Sequence, residues 1–180
     1  MKQNFQQCLE WLLEHEGGFV DHPDDPGGMT NKGITAKTYQ RWLSETIGPE
    51  ATVDEEAMRN IPDSHVSQIY REEYWLKISG DNLSSGLDWS IFDWAVNSGP
   101  GRSARAIQRI LKVKADGDIG PKTLAAIREY DAASLIDDMY FTRQAFYERL
   151  KTFPTFGAGW TRRNDETRDQ AHQLLGPATA

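Results

Sequence analysis

Glu16, Asp25 and Thr30 lie in one short stretch, "HEGGFVDHPDDPGGMTNKGIT", residues 15–35. A carboxylic acid, a second carboxylate and a hydroxyl around one loop suit glycoside hydrolysis. The acid protonates the leaving oxygen. The second carboxylate orients a water or stabilises the oxocarbenium-like transition state. The hydroxyl holds the water. Glu16 is the natural acid, because it ends an apolar helical stripe. There it faces the negative end of the helix dipole and sits beside Leu12 and Leu13, and both surroundings disfavour a charged carboxylate. Asp24 is adjacent to Asp25 and equally acidic. Satisfying backbone groups within a tight turn is the competing use of Asp25 and Thr30.

The elements around this stretch read as helices. Phe5, Cys8, Leu9, Leu12 and Leu13 follow one face of a helix of about three turns, and Gly17 and Gly18 stop it. Residues 19–35 predict a small β-hairpin or an irregular loop, with "DDPGG" as turn chemistry. Thr35 is placed to cap a helix over "AKTYQRWL", Thr52 to begin a capping box, and Asp63 to cap the helix running through "IYREEYW". Another helix covers Leu87, Ile91, Trp94 and Ala95, and "NSGPGR" breaks the pattern at 97–102. Helices over 103–112, 121–130 and 133–151 follow. "TFPTFGAGW" reads as a loop before a last helix carrying "RRNDETRDQAHQLL".

The loop stretch resembles the signature of glycoside hydrolase family 108, the muramidases of phage endolysins and their bacterial relatives. The matching residues are Glu16-Gly17-Gly18-Phe19, Asp25-Pro26-Gly27-Gly28, Thr30 and Gly33-Ile34-Thr35. Phe19 stands where the family often has tyrosine. The glutamate–aspartate–threonine order is also similar to that of phage-type lysozymes. "FDWAVNSGPGRSARAIQRIL" with "DGDIGPKTLAAI" resembles the peptidoglycan-binding segment that accompanies the family. The resemblance implies a mainly α, lysozyme-like fold with a short β-hairpin or loop after the first helix. It also implies a catalytic region over residues 1–95 and a peptidoglycan-binding-like region over 96–180; the long apolar faces of the later helices, and a break at "NSGPGR" too short for a flexible linker, predict that the two pack as one unit. The implied reaction is hydrolysis of the β-1,4 bond between N-acetylmuramic acid and N-acetylglucosamine. Glu16 would be the general acid, Asp25 the second carboxylate and Thr30 the water-holding residue.

Two further residues are candidates for substrate binding. Trp75 offers a face on which a sugar could stack, with core packing as its other use. Asn97 could hydrogen-bond an acetamido group or cap a turn. The four histidines and the single cysteine, Cys8, show no metal-ligand spacing, so no metal or organic cofactor is expected.

Composition narrows the partners. A formal net charge of −7 over 180 residues argues against nucleic acid. Arg102, Arg105, Arg109, Lys112 and Lys114 form a local exception, a stretch with no acid, for which a solvated helix face is the simplest use. No apolar run suits a signal peptide or a stable membrane insertion. The expectation is synthesis in the bacterial cytoplasm and action on cell-wall glycan strands after a holin-like protein permeabilises the membrane. Two rivals stay open: a lytic transglycosylase on the same bond, and a non-catalytic peptidoglycan-binding protein.

Overall fold

The computed structural model describes residues 4–21 and 28–176. The fold is mainly α and lysozyme-like, with one two-stranded antiparallel hairpin among the described residues. Two compact units divide the chain. The smaller is Leu9–Glu72, and the larger combines Met1–Cys8 with Glu73–Ala180.

In the smaller unit, α1 (Phe5–His15) contributes its later turns, with Leu9 and Leu12 buried. Strands β1 (Thr30–Asn31) and β2 (Ile34–Thr35) pair in the register Thr30↔Thr35 and Asn31↔Ile34. Lys32 and Gly33 make the turn, both with positive φ (49° and 73°), as a tight two-residue hairpin requires. The backbone of Val20 pairs with that of Thr30 in both directions at 2.8 Å, which extends the hairpin on one side.

Helix α2 (Ala36–Thr46) is capped by Thr35, whose hydroxyl accepts from the Thr38 N–H. Such a cap is worth about 1 kcal/mol. Tyr39, Trp42 and Leu43 form its buried face. Two capping expectations need correction. Asp54, not Thr52, caps α3 (Glu55–Arg59), accepting from the Ala57 N–H at 2.8 Å. Helix α4 (Asp63–Tyr70) starts on Asp63 itself, behind Pro62. Asp63 is therefore inside the first turn, too late to cap it, and pairs with Lys32 instead. The chain continues from α4 through a π-helical turn, Arg71–Trp75.

The larger unit is built around α5 (Leu87–Ser98), whose residues 87–95 are all buried. It packs against α6 (Pro100–Ile110), α8 (Ala132–Glu148) and α9 (Phe153–Leu174). Only Gly99, at φ 92°, separates α5 from α6, and Pro100 opens the new helix, a position where its missing N–H costs nothing. Helix α7 (Pro121–Arg128) starts in the same way. The expected loop "TFPTFGAGW" is mostly helix, since α9 starts at Phe153. Pro154 is tolerated in a first turn. Gly157 is buried under the Phe153 ring, where a Cβ would come within 2.7 Å of it.

A buried ion network ties three of these helices together. Asp93 of α5 is fully buried and pairs with Arg143 of α8 at 2.6 Å and Arg163 of α9 at 2.7 Å. Thr167 also donates its hydroxyl to Asp93. Burial alone would raise the Asp93 pKa; the two guanidiniums overcome that and hold it down at about 2.

Candidate active site

Glu16 follows directly on the last residue of α1 and is half-buried. Its carboxyl rests on the hairpin turn. A Cβ built on Gly33 would lie 2.8 Å from Glu16 Oε2 and would overlap the Tyr70 hydroxyl. Only a residue without a side chain lets the backbone turn, the Glu16 carboxyl and the Tyr70 hydroxyl meet at one point.

The turn beneath Glu16 is anchored from several sides. The Tyr70 hydroxyl donates to the Lys32 carbonyl at 2.8 Å. Asn31, buried in β1, donates its amide to the carbonyls of Met58 (2.7 Å) and Arg59 (3.2 Å) at the end of α3. Lys32 pairs with Asp63 at the start of α4. Arg59 in turn stacks over the Phe19 ring at 3.9 Å, which ties down the chain just after Glu16. A catalytic carboxyl must be held within a fraction of an ångström to be effective. Here the helix end, hairpin, α3 and α4 all contribute to that placement.

Thr30 is half-buried in β1, and its hydroxyl donates to the Gly28 carbonyl at 3.3 Å. It therefore sits at the base of the hairpin, whereas Glu16 meets the turn. Asp25, and its neighbour Asp24, lie outside the described residues.

Trp75 requires a correction. It is fully buried, with ring edges against Phe5 at 5.2 Å and Phe92 at 5.3 Å. Its indole N–H donates to Asp81 at 2.9 Å, and Gly80 closes over the ring. No face is left for a sugar, so this tryptophan packs the core of the larger unit. Asn97 is exposed and belongs to the larger unit, whereas Glu16 belongs to the smaller. The Asn97 side-chain carbonyl accepts from the Tyr147 hydroxyl at 3.2 Å.

Gly33 and Tyr70 were not singled out as site residues by sequence reasoning. The signal for Gly33 was present, because a glycine beside Lys32 in a short turn marks a positive φ. Tyr70 is separated from Gly33 by 37 positions, and no local pattern links them.

The arrangement predicts a specific sensitivity. Gly33→Ala forces a side chain into a left-handed turn and into the Glu16 carboxyl. Its activity on cell-wall substrate should drop by roughly 100-fold, the scale of an ångström-sized misplacement. Gly48→Ala is the control, because Gly48 also has a positive φ (142°) but nothing within 4 Å. Equal losses in the two variants would show that backbone strain, not displacement of Glu16, is responsible.

Comparison with known proteins places these features in context. Residues 9–99 match the Glycosyl hydrolase 108 family, and residues 102–165 match a Predicted Peptidoglycan domain. The solved structure of Brucella abortus SagA is similar over 100% of both chains, with 37% identity and a TM-score of 0.84. A search of curated proteins gave no match.

Proposed function

Because the chain belongs to the glycosyl hydrolase 108 family and is thereby a glycoside hydrolase acting on peptidoglycan, we propose that the bond it cuts is the β-1,4 link between N-acetylmuramic acid and N-acetylglucosamine. The observation that carries this reading is the Glu16 carboxyl, half-buried at a helix end and seated on the side-chain-free turn at Gly33. A carboxyl held this way is suited to deliver a proton to a glycosidic oxygen.

In this mechanism Glu16 protonates the leaving oxygen as the bond to the muramic acid breaks. Asp25 supplies the second carboxylate. Thr30 helps hold the attacking water; its hydroxyl proton is engaged by the Gly28 carbonyl, which leaves its lone pairs to accept from that water. The biological setting we propose is that of a phage or prophage endolysin. The protein is made in the host cytoplasm and reaches the periplasmic wall once a holin-like protein opens the membrane. Among the described residues no helix is long and apolar enough to cross a membrane.

The test is digestion of purified sacculi followed by mass spectrometry of the released muropeptides. Products ending in a reducing, hydrated muramic acid are expected. A 1,6-anhydro end, lighter by one water, would instead assign the protein as a lytic transglycosylase. Sacculi bound but never cut would make it a binding protein.

A further inference from the structure

The basic run that follows α5 does not behave as one solvated face. Arg105 turns back on the chain, donating to the carbonyls of Gly101 and Asp116, and Lys114 lies 3.9 Å from Asp116. Arg102 and Arg109 instead line a groove between α6 and α8, where Arg149 joins them from just beyond the end of α8. All three arginines are exposed, and none forms an ion pair among the described residues. Three uncompensated cations around one groove are unusual in a chain of net charge −7. Such an arrangement selects an anion locally, without a long-range positive field.

The groove also has aromatic walls and an oriented amide. Two adjoining clefts, of about 420 and about 270 Å³, share Arg102 and Phe146, and the Arg102 guanidinium lies 4.5 Å over the Phe146 ring. The larger cleft is bordered by Trp160, the smaller by Trp94. Trp94 is 2% exposed, and its indole nitrogen has no hydrogen-bond partner. Asn97 enters the larger cleft already positioned. Its carbonyl accepts from Tyr147, whose oxygen accepts from Arg143 at 2.7 Å, and Arg143 is held by buried Asp93. This leaves the Asn97 amide hydrogens to donate to a ligand.

We propose that this groove binds the acidic peptide stem of peptidoglycan, a role that rests on the peptidoglycan reading above. The N-acetylated glycan strand offers stacking faces and acetamido groups but no fixed charge once its lactyl group is amide-linked to a stem. The carboxylates of peptidoglycan are on the stem, and an arginine guanidinium matches a carboxylate with paired hydrogen bonds. Arg102, Arg109 and Arg149 take these carboxylates. Asn97 donates to an amide or acetamido carbonyl, and Phe146 and Trp160 cover the apolar portion. The larger unit thereby grips the peptide part of the polymer that Glu16, in the smaller unit, cuts along its glycan.

The experiment uses the full chain carrying Glu16→Gln, so that the wall is not digested, and measures co-sedimentation with purified sacculi. Free stem peptides, released from separate sacculi by an amidase, are added in excess to half of the samples. Combined Arg102→Gln, Arg109→Gln and Arg149→Gln substitutions should weaken binding to intact sacculi by at least about tenfold, while three Arg→Lys substitutions, which keep the charge but not the paired hydrogen bonds, restore only part of it. Excess free stem peptide should weaken the parent to a similar level, and the Gln substitutions should then add little. Equal binding of parent and Gln variant to intact sacculi overturns the proposal. Arginine-dependent binding that excess stem peptide does not compete overturns it too, and its loss when phosphate polymers are extracted would assign a phosphate ligand instead. Cleavage of stem-free glycan oligomers by the unsubstituted chain is scored separately. Failure there refutes the hydrolase mechanism, whereas stem binding is decided by sedimentation alone.

Discussion

Glu16→Gln is expected to lower the rate of wall hydrolysis by about 10³-fold or more while leaving the fold unchanged. A positioned general acid contributes about 10²–10⁴ in rate, and glutamine keeps the shape of the side chain but has no acidic proton to give. The substitution should not unfold the protein, since Glu16 is only half-buried and lies just beyond α1. Glu16→Asp is the informative companion. It keeps the acid but withdraws it by one methylene from its seat on Gly33, so its activity should fall between the two. The measurement is the initial rate of sacculus clearing, with circular dichroism as the check on folding. Clearing at the wild-type rate by a folded Glu16→Gln protein would remove Glu16 from the mechanism.

The second large effect concerns stability. Asp93→Asn leaves Arg143 (2% exposed) and Arg163 (14%) buried without their counter-charge. Breaking a buried ion pair from one side costs about 3–5 kcal/mol, a large part of the roughly 5–15 kcal/mol that holds a typical domain folded. For a chain of this size the melting temperature should fall by roughly 10 °C. The pH dependence has a defined sign. The folded pKa of Asp93 is depressed to about 2 from an ordinary 3.8. Its stabilisation is therefore complete above the ordinary value and is lost as pH falls from about 4 through about 2. Thermal melts across that window should show the wild-type protein losing stability faster than Asp93→Asn. Parallel curves would contradict the network's role. By the same reasoning a fragment ending at Ser98 should not fold stably. It would expose Leu87, Trp89, Ile91, Phe92 and Trp94 of α5 and strand Asp93 without either arginine. Such a result would support our proposal that the regions before and after residue 95 fold together.

What could be read from the sequence follows the range of the interactions. The stripe of Leu9 and Leu12 in α1 and the Thr35 cap are set by neighbours within four residues, and both are found. A hairpin was one of two readings of residues 19–35, with its turn chemistry placed at "DDPGG", whereas the turn between β1 and β2 lies at Lys32-Gly33. Short-range signals failed where neighbouring residues could each cap a helix and where a helix breaker fitted the helix it was expected to end. Thr52 and Asp54 both could cap α3, and the residue next to the first helical turn was the one used. Pro154 and Gly157 read as loop formers, yet one sits in a first turn and the other packs beneath a ring. Long-range effects left no local trace. Asp93 meets Arg143 and Arg163 from 50 and 70 positions away, and nothing near "FDWAV" announces either partner. Trp75 illustrates the same limit, since a tryptophan on a helical face is equally suited to a core or a sugar until its neighbours Phe5, Phe92 and Gly80 are in place. For the basic run, composition identified the charges but could not show that Arg105 and Lys114 are engaged locally while Arg102 and Arg109 are not.

The central claim is that Glu16 donates the proton for a hydrolytic cut between muramic acid and glucosamine. Its most direct test is digestion of sacculi in ¹⁸O-labelled water by the wild-type and Glu16→Gln proteins in parallel, read by mass spectrometry of the muropeptides. The account predicts one ¹⁸O on each new reducing end, located on N-acetylmuramic acid, in the wild-type digest, and essentially no released muropeptide from Glu16→Gln. Unlabelled anhydro ends, label on glucosamine, or labelled products at comparable yield from the Glu16→Gln protein would each contradict it.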